Sequence, residues 1–595
     1  MILQALTDYY RRKCDDPDPA QRLPAFGLEQ KEIPFILEIN AAGELLQLRD
    51  TRELQGKKKV ARTYRVPMGV KKTSGVAANL LWDTLEYVVG VDTKGKPERV
   101  AEQHAAFRAR MAALPEAARQ DAGIQAVLRF LDRVDVPQLE RQPAWADALE
   151  SNAVMSFRLQ GDMDLVCQRP AVVHAALNAT TDDDAPQAMC LVTGEQAPVE
   201  RLHASIKGVW GAQTSGANIV SFNARAFESY GKTERQGENA PVSRAAAFAY
   251  TTALNHLLRK DSPQRMQVGD ASTVFWAERQ DPFETIFGDI FQDNPDASTD
   301  KVEALLNAVH NGHWGPWDKD LRYHVLGLAP NAARISIRFY HCVTLQELGQ
   351  RIAQHFDDLA LVRGPNDARY PSLFRLLTAV ALQNKADNIP PNLGGAVVDA
   401  ILAGPNVPYP SLWLNAAVGR CRAEQTVNYL RAAAIKACLN RQQRHAALSS
   451  ISLAPEKEFL PMLDLCNTNP AYRLGRLFAV LEKIQEEASP GLNATIRDRY
   501  YGAASSTPVA VFTTLLRLKN AHLKKLSPGR TATFEKLLGE VLGPVTEFPK
   551  HLPLPDQGRF ALGYYHQRQD FFTKKTEDNA ANATTPTASL EGTTA

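Results

Sequence analysis

The apolar positions of the chain change their period once, near the middle. Before about Leu345, short alternating runs sit between helical ones; beyond it, apolar residues recur at helical spacing almost throughout. Phe35 to Ile39, a turn at Asn40-Ala-Ala-Gly43, and Glu44 to Arg49 read as strand, turn, strand. The clearest hairpin runs from Tyr323 to Leu328, turns at Ala329-Pro-Asn-Ala332, and returns through Arg334 to His341. There Ile335, Ile337 and Phe339 alternate with Ser336, Arg338 and Tyr340, the period of two that a pleated strand imposes. Strands are also predicted at Met189 to Val192 and Ser272 to Ala277. Helical spacing predicts helices over 76–89 with Gly90 as a stop, over 98–131, over 138–152, and from Ser243 to Lys260 with Ser243 as N-cap.

Past Leu345, amphipathic runs at 372–385, 394–403, 423–446, 470–487, 508–525 and 531–542 are separated by short Pro- and Gly-containing joints. No strand pattern falls between them, which predicts a helical bundle. The fold class is therefore α+β. It comprises a mixed N-terminal α/β region with β-hairpins over 1–345 and an all-α C-terminal bundle over 346–575. A low-complexity tail over 576–595 is expected to be disordered. No internal repeat is found.

One stretch fits neither pattern. Gly208 to Ser243 reads GVWGAQTSGANIVSFNARAFESYGKTERQGENAPVS, polar and small, with Trp210, Phe222, Phe227 and Tyr230 spaced through it. Small residues let a backbone approach a ligand closely, and amides both donate and accept hydrogen bonds. The stretch contains no His, no Cys and no paired carboxylates, so it is suited to holding a ligand rather than transforming one. Asn218, Ser221, Asn223, Ser229, Gln236 and Asn239 are contact candidates there, or else turn formers.

Composition narrows the setting. A chain of 595 residues has room for two to four domains, each able to bury a core. No apolar run approaches the roughly 18 residues of a membrane span, and the N-terminus lacks a secretory pattern. Seven scattered Cys without a C-x-x-C pair suit reduced thiols, so a cytoplasmic protein with no membrane partner is expected.

The formal charge of +2 hides a segregation. Arg49 to Lys72 carries nine Lys or Arg against two acids, and Gly491 to Lys575 thirteen against six. Local basic patches in a near-neutral protein point to a polyanion, or else to solvated faces. In the first patch Lys57, Lys58, Lys59 and Arg62 are followed by Lys71 and Lys72 ahead of a predicted helix start near Asn79. Such cations suit phosphates, and Asn79 could read a base edge, or serve as a capping or core amide. In the second patch Arg497, Arg499, Arg517, Lys519, Lys524, Lys525 and Arg530 suit a nucleic-acid backbone read without sequence.

Chemistry is sparse by contrast. There is no phosphate loop, nucleophile elbow, dinucleotide fingerprint or kinase signature. His310-x-x-His313, near Trp314, His324 and His341, has no Cys or carboxylate at ligand spacing, and reads as surface or packing histidines. No catalytic residue, metal or cofactor is expected.

Several long segments carry a resemblance: MILQALTDYYRR, EIPFILEI, LRDTRELQGKKK, VKKTSGVAANLLWDTLEYVVG and TSGANIVSFNARAFESYGKTERQGENAPVS. Through these, over roughly residues 1 to 570, the chain resembles the large subunit of the type I-C CRISPR surveillance complex, Cascade. The resemblance implies a non-catalytic subunit that reads a protospacer-adjacent motif on duplex DNA while guide pairing reads the target. Its implied partners are guide CRISPR RNA, target double-stranded DNA, the backbone, 5′-handle-processing and small Cascade subunits, and a recruited helicase-nuclease. An assembly subunit that docks guide RNA and its neighbours without reading DNA is the alternative. On this reading Lys57, Lys58, Lys59, Arg62, Lys71 and Lys72 contact the DNA backbone. Asn79, Asn218, Asn223, Gln236 and Asn239 serve motif recognition or strand separation. The seven cations of the second patch hold the displaced strand. The resemblance also implies a small subunit translated from within the same gene. Met462, the last Met, is the start expected for that product, and 462–575 its folded part.

Overall fold

The computed structural model describes residues 2–18, 21–56, 58–70, 75–178, 186–232, 235–268, 271–291, 295–449 and 458–572. Its contacts divide into two compact units, one within Met1–Ala204 and Val220–Leu254, the other within Ser205–Ile219 and Asn255–Ala595.

The first unit opens with helix α1 (Ile2–Cys14) and strands β1 (Leu28–Glu32), β2 (Phe35–Ile39) and β3 (Leu45–Asp50). It continues through β4 (Glu53–Gln55), β5 (Lys58–Val60), β6 (Thr63–Pro67), β7 (Trp82–Thr84) and the single turn α2 (Leu85–Val88). Next come α3 (Pro97–Ala112), α4 (Glu116–Arg119), α5 (Ala122–Asp132), α6 (Val136–Glu140), α7 (Trp145–Glu150) and β8 (Val154–Leu159). Helix α8 (Pro170–Asn178), strands β9 (Gln187–Met189) and β10 (Gln196–Pro198), and α9 (Arg244–Leu257) complete it.

Strand β2 is apolar on both faces because it is central: the sheet runs β3-β2-β8-β7, with β2 antiparallel to β3 and parallel to β8. The predicted turn before β3 exists. Gly43 sits there at φ +82°, and an added Cβ would fall 2.7 Å from the Phe130 backbone nitrogen, so only glycine lets the turn rest on α5. Phe130 of α5 meets Phe157 of β8 edge-on at 5.7 Å, and Phe107 of α3 stacks on the same ring at 6.4 Å.

The helix predicted over 76–89 is mostly absent. Trp82–Thr84 pairs with β8 instead, and only Leu85–Val88 is helical. Three side-chain bonds hold the extended form. The Asp83 carboxylate accepts the Asn79 N–H at 2.9 Å, Trp82 Nε1 donates to the Pro67 carbonyl at 2.8 Å, and the Ser156 hydroxyl donates to Leu81 at 2.9 Å. Sheet pairing outweighs the weak preference of spacing alone. The helix predicted over 98–131 is broken twice, at Pro115 and at Asp121, whose carboxylate caps α5 through the Gly123 and Ile124 N–H groups. The predicted strand at 189–192 ends at Met189. Helix α9 begins as expected, with the Ser243 hydroxyl accepting the Ala246 N–H at 3.2 Å.

The second unit contains an antiparallel sheet of β11 (Arg265–Val268), β12 (Ala271–Ala277), β13 (Arg322–Asn331) and β14 (Arg334–Thr344), in that order. The predicted hairpin is β13–β14, longer than its alternation suggested. Around the sheet run α10 (Phe287–Phe291), α11 (Pro295–Asn311), α12 (Leu345–Leu359), α13 (Leu373–Val380), α14 (Leu393–Ala403) and α15 (Ser411–Ala423). The chain then forms α16 (Tyr429–Ser449), α17 (Pro470–Ala488), α18 (Ile496–Ala504), α19 (Pro508–Leu523), α20 (Pro528–Leu542) and α21 (Leu554–Asp570). Phe275, Tyr323 and Val325 of the sheet share one core with Leu348, Ile352 and Val397 of the helices. Contacts therefore divide the chain at 204/205, 219/220 and 254/255, whereas the pattern of apolar residues changes at 345. The α+β class holds, with strands in the N-terminal part and helices alone among the described residues beyond Thr344.

Helices α17 and α21 meet backbone to backbone. A Cβ on Gly475 would lie 2.0 Å from the Phe560 carbonyl oxygen, and one on Gly563 would lie 2.0 Å from that of Tyr472. Beside this seam Tyr472 shares a hydrogen bond with His566 at 2.8 Å. The fully buried Glu482 accepts from the Tyr564 hydroxyl at 2.6 Å and the Thr495 hydroxyl at 2.9 Å. On α16 the buried Arg441 donates to Asp358 at 2.9 Å and lies 4.0 Å above the Tyr409 ring, and Tyr409 bonds His355 at 2.6 Å.

Gly563→Ala is expected to destabilise the protein by about 3 kcal/mol or more. Gly539→Ala on α20, where nothing lies within 4 Å, should stabilise it by roughly 0.5–1 kcal/mol. Thermal unfolding of the two variants checks both signs. Burial pushes His355 and His566 down to about 3, the Arg441 charge adding to the shift at His355. Both are neutral when folded, while the unfolded chain takes up protons below about pH 6.5. Stability is thus full above that pH and falls between about 6.5 and 3, at about 1.4 kcal/mol per pH unit for each histidine. Denaturant titrations across this window should show the slope, and replacing both histidines by Gln should flatten it.

Candidate nucleic-acid interface

In the first unit β4 and β5 form a short antiparallel ribbon, Gln55 opposite Lys58, turned by Gly56 at φ +63° with open space around it. Lys57, Lys71 and Lys72 lie outside the described residues, as does the Lys58 side chain. Lys59 is not a bare cation. Its Nζ lies 3.1 Å from the Asp147 carboxylate, which also takes the Arg52 guanidinium. The hydrogen bonds from Arg52 and then Lys59 hold the Asp147 carboxyl below its usual range. Arg62 is exposed, lies 5.5 Å above the Tyr64 ring, and pairs with no acid among the described residues. Arg65 is likewise exposed, although it was not among the expected contacts. Its signal was available: in β6, Thr63 and Arg65 alternate with the buried Tyr64 and Val66.

Asn79 is buried, and its side-chain oxygen accepts the Val70 N–H at 2.9 Å. It is the core amide of the two alternatives, pinning the chain that returns from the ribbon. The loop amides divide in the same way. Asn239 accepts the Ser229 N–H at 3.0 Å and donates to the Lys232 and Gln236 carbonyls at 3.3 and 3.0 Å, so it knits the loop together. Gln236 accepts from the Arg201 guanidinium. Asn223 is exposed, as are Phe227 at 42% and Tyr230 at 99%. Tyr230 takes φ +55°, a backbone conformation rare outside glycine, while its ring stands in solvent.

The stretch Ser205–Ile219 belongs to the second unit, where Asn218 bridges Arg334 and its carbonyl accepts the Ile335 N–H at 3.0 Å. Trp210 is 64% exposed, its N–H given to the Ser272 hydroxyl at 2.9 Å. In the same unit the second basic patch is partly compensated, three of its seven cations pairing with acids. Arg530 makes a two-point bond to Glu487 at 2.7 and 2.6 Å, Lys519 pairs with Glu535 at 3.2 Å, and Arg497 lies 3.9 Å from buried Glu482. Lys525 reaches the Ser489 hydroxyl at 3.5 Å and pairs with no acid among the described residues. Arg499, Arg517 and Lys524 are exposed and pair with no acid among the described residues. Arg517 and Lys524 are seven residues apart, on one face of α19 with the exposed Thr513 and Asn520.

The histidines serve packing. His310 Nδ1 bonds the Leu306 carbonyl at 2.6 Å, His324 the Tyr340 hydroxyl at 2.8 Å, and His341 the Asp399 carboxylate at 2.7 Å. Among the described residues no group of His, Cys, Asp and Glu is arranged to hold a metal ion.

The described residues thus offer charged and aromatic contact surfaces. Residues 6–572 match the family of the CRISPR-associated protein (Cas_Csd1), and the chain belongs to that family. It matches no curated protein. The match covers nearly the whole chain and upholds the resemblance in its coarser form, that of a CRISPR-associated protein.

Asn239→Ala removes three hydrogen bonds that tie the loop to itself, and cleavage between Phe227 and Lys232 in limited proteolysis should quicken by about tenfold. Tyr230→Ala, which removes only an exposed ring, should leave that rate near the parent's.

Proposed function

We propose that the chain is the non-catalytic large subunit of a type I-C RNA-guided interference complex. In this reading it works in the cytoplasm with guide CRISPR RNA, other Cascade subunits and target double-stranded DNA. It recognises the protospacer-adjacent motif, assists duplex opening and R-loop formation, holds the displaced strand and admits the helicase-nuclease. Family membership sets the context. The observation that carries the strand-holding role is selective: Arg497, Lys519 and Arg530 have acid partners, yet Arg499, Arg517, Lys524 and Lys525 are exposed and pair with no acid among the described residues. A backbone charge needs no partner in the free protein when its partner is a phosphate. In the first unit the exposed candidates are Arg62 and Arg65 on β6 and its approach, and separately Asn223, Phe227 and Tyr230 in the loop. Asn79 and Asn239 support them from inside.

The assembly reading is favoured by one feature. Lys59 and Arg52 are already answered by Asp147 and Asp50, so these two cations offer little net charge to a phosphate. Crosslinking from Tyr230 in the loaded complex separates the two. Adducts with target DNA support motif reading; adducts confined to guide RNA and neighbouring subunits support assembly.

The short product from Met462 contains α17 to α21 with their glycine seam intact. It leaves out α15 and α16, against which Gly558 of α21 packs through Leu414, Ile435 and Leu439. That apolar face needs a new cover, which a subunit held in a complex has. N-terminal sequencing of a small copurifying band should begin at Met462, and absence of initiation between about 440 and 490 removes the idea.

With the complex on a single-stranded target, R517A/K524A should flatten the slope of log K against log salt by about 1.4, two contacts at roughly 0.7 each. An unchanged slope in a filter-binding titration excludes both residues from the strand path.

A further inference from the structure

Between α11, the end of α12, the 360–370 loop and Tyr429 lies a cavity of about 530 Å³ in the second unit, bounded also by Pro461 and Met462. This volume falls in the range of about 300–1,000 Å³ that small-ligand sites occupy. Its lining, which also includes Asn307 and His310, offers three kinds of group that matter here. Phe356, Tyr370 and Tyr429 supply aromatic surface, Arg363 and Arg369 are exposed cations, and Asp357 is an exposed carboxylate. The groups are held in place. The Tyr429 hydroxyl donates to the Ala368 carbonyl at 3.1 Å, and Arg363 donates to the Asp367 carbonyl at 3.3 Å. Arg369 lies 5.1 Å above the Tyr370 ring and pairs with Glu303 at 3.2 Å, where 61% and 40% of the two side chains are open to solvent. A pair that exposed is weak and can be exchanged for a phosphate. Asp357 makes no ion pair among the described residues.

We propose that this cavity binds one nucleotide. Its base lies against Tyr370, its phosphate is gripped by Arg363 and Arg369, and Asp357 accepts from an exocyclic amine. Flat aromatic surface takes any base. Guanidinium forks match phosphate oxygens, and an ionised carboxylate, being acceptor-only, favours adenine or cytosine over thymine. The nucleotide is either free or part of a bound single strand; only the second source rests on the function proposed above.

The test uses the full-length chain, with folding of each variant verified by its thermal midpoint. Calorimetric titration with AMP, CMP, dTMP, adenosine and inorganic phosphate is set beside polarisation of labelled oligo(dC) and oligo(dT). AMP and CMP should bind about fivefold or more tighter than dTMP, and Asp357→Asn should narrow that gap. Tyr370→Leu should weaken nucleotides and adenosine alike by roughly fivefold or more. R363Q/R369Q should weaken AMP by at least about tenfold and leave adenosine unchanged. The same losses in oligonucleotide binding identify the strand as the source. If they are absent there, the free nucleotide is the ligand and the strand-binding reading gains nothing from the cavity. Failure of every mononucleotide to bind, or equal binding by parent and variants, overturns the proposal, even where oligonucleotides still bind and the proposed function stands.

Discussion

The helical unit depends on a seam with no side chains in it. At Gly475 and Gly563, α17 and α21 approach until each backbone touches the other's carbonyls, and every other contact of the pair follows from that distance. Close approach brings Tyr472 to His566 and Tyr564 to Glu482 in water-poor surroundings. There a satisfied hydrogen bond is strong and an unmade one costly. The polar groups along the seam are consequently all-or-nothing. They do not drive the association, which comes from apolar burial, but they select one register of α17 on α21. The buried Arg441–Asp358 pair acts in the same sense on α16 and α12. Removing Asp358 would leave the buried Arg441 charge without a counter-ion, so the two helices keep their relative position or lose it together.

How far this was legible in the sequence depends on what surrounds each element. The β13–β14 hairpin could be read because one face of β14 is exposed, and half-burial writes an alternation into the residues. Residues 76–89 misled because Leu80, Leu81, Leu85 and Val88 are buried at helical intervals by coincidence, while pairing to β8 decides the backbone. Helix α21 passed unseen for the opposite reason. It is covered all round, so LPDQGRFALGYYHQRQD buries Gln557, His566 and Gln567 along with its apolar residues and shows no amphipathic stripe. Its two glycines read as breakers when they are contact points.

The candidate surfaces show a related limit. Counting charges in a window assumes that the partners of each charge lie inside it. Gly491 to Lys575 looks strongly basic, but Glu482, Glu486 and Glu487 sit just before the window and answer Arg497, Arg568 and Arg530. Asp147 answers Lys59 and Arg52 from far along the chain. Asn79 and Asn239 were selected for residue type, and type alone does not distinguish an amide that meets a ligand from one that holds a loop. The cavity residues Arg363, Arg369 and Tyr370 went unnoticed because they belong to no motif; the fold alone gathers them with α11 and Tyr429.

What remains after internal pairing is therefore more informative than the charge total. A cation held in a partly buried pair, as Arg530 is with Glu487, must lose that partner before a phosphate can take its place, and the two exchanges nearly cancel. An exposed, unpaired cation such as Arg517 or Lys524 loses only water and displaces counter-ions from the nucleic acid, so its contribution is entropic and sensitive to salt. Compensated residues near such cations fix the shape of the surface, and the uncompensated ones set its affinity. By that division Arg530, Lys519 and Arg497 hold α18 to α20 in place, while Arg499, Arg517 and Lys524 are exposed without an acid partner among the described residues.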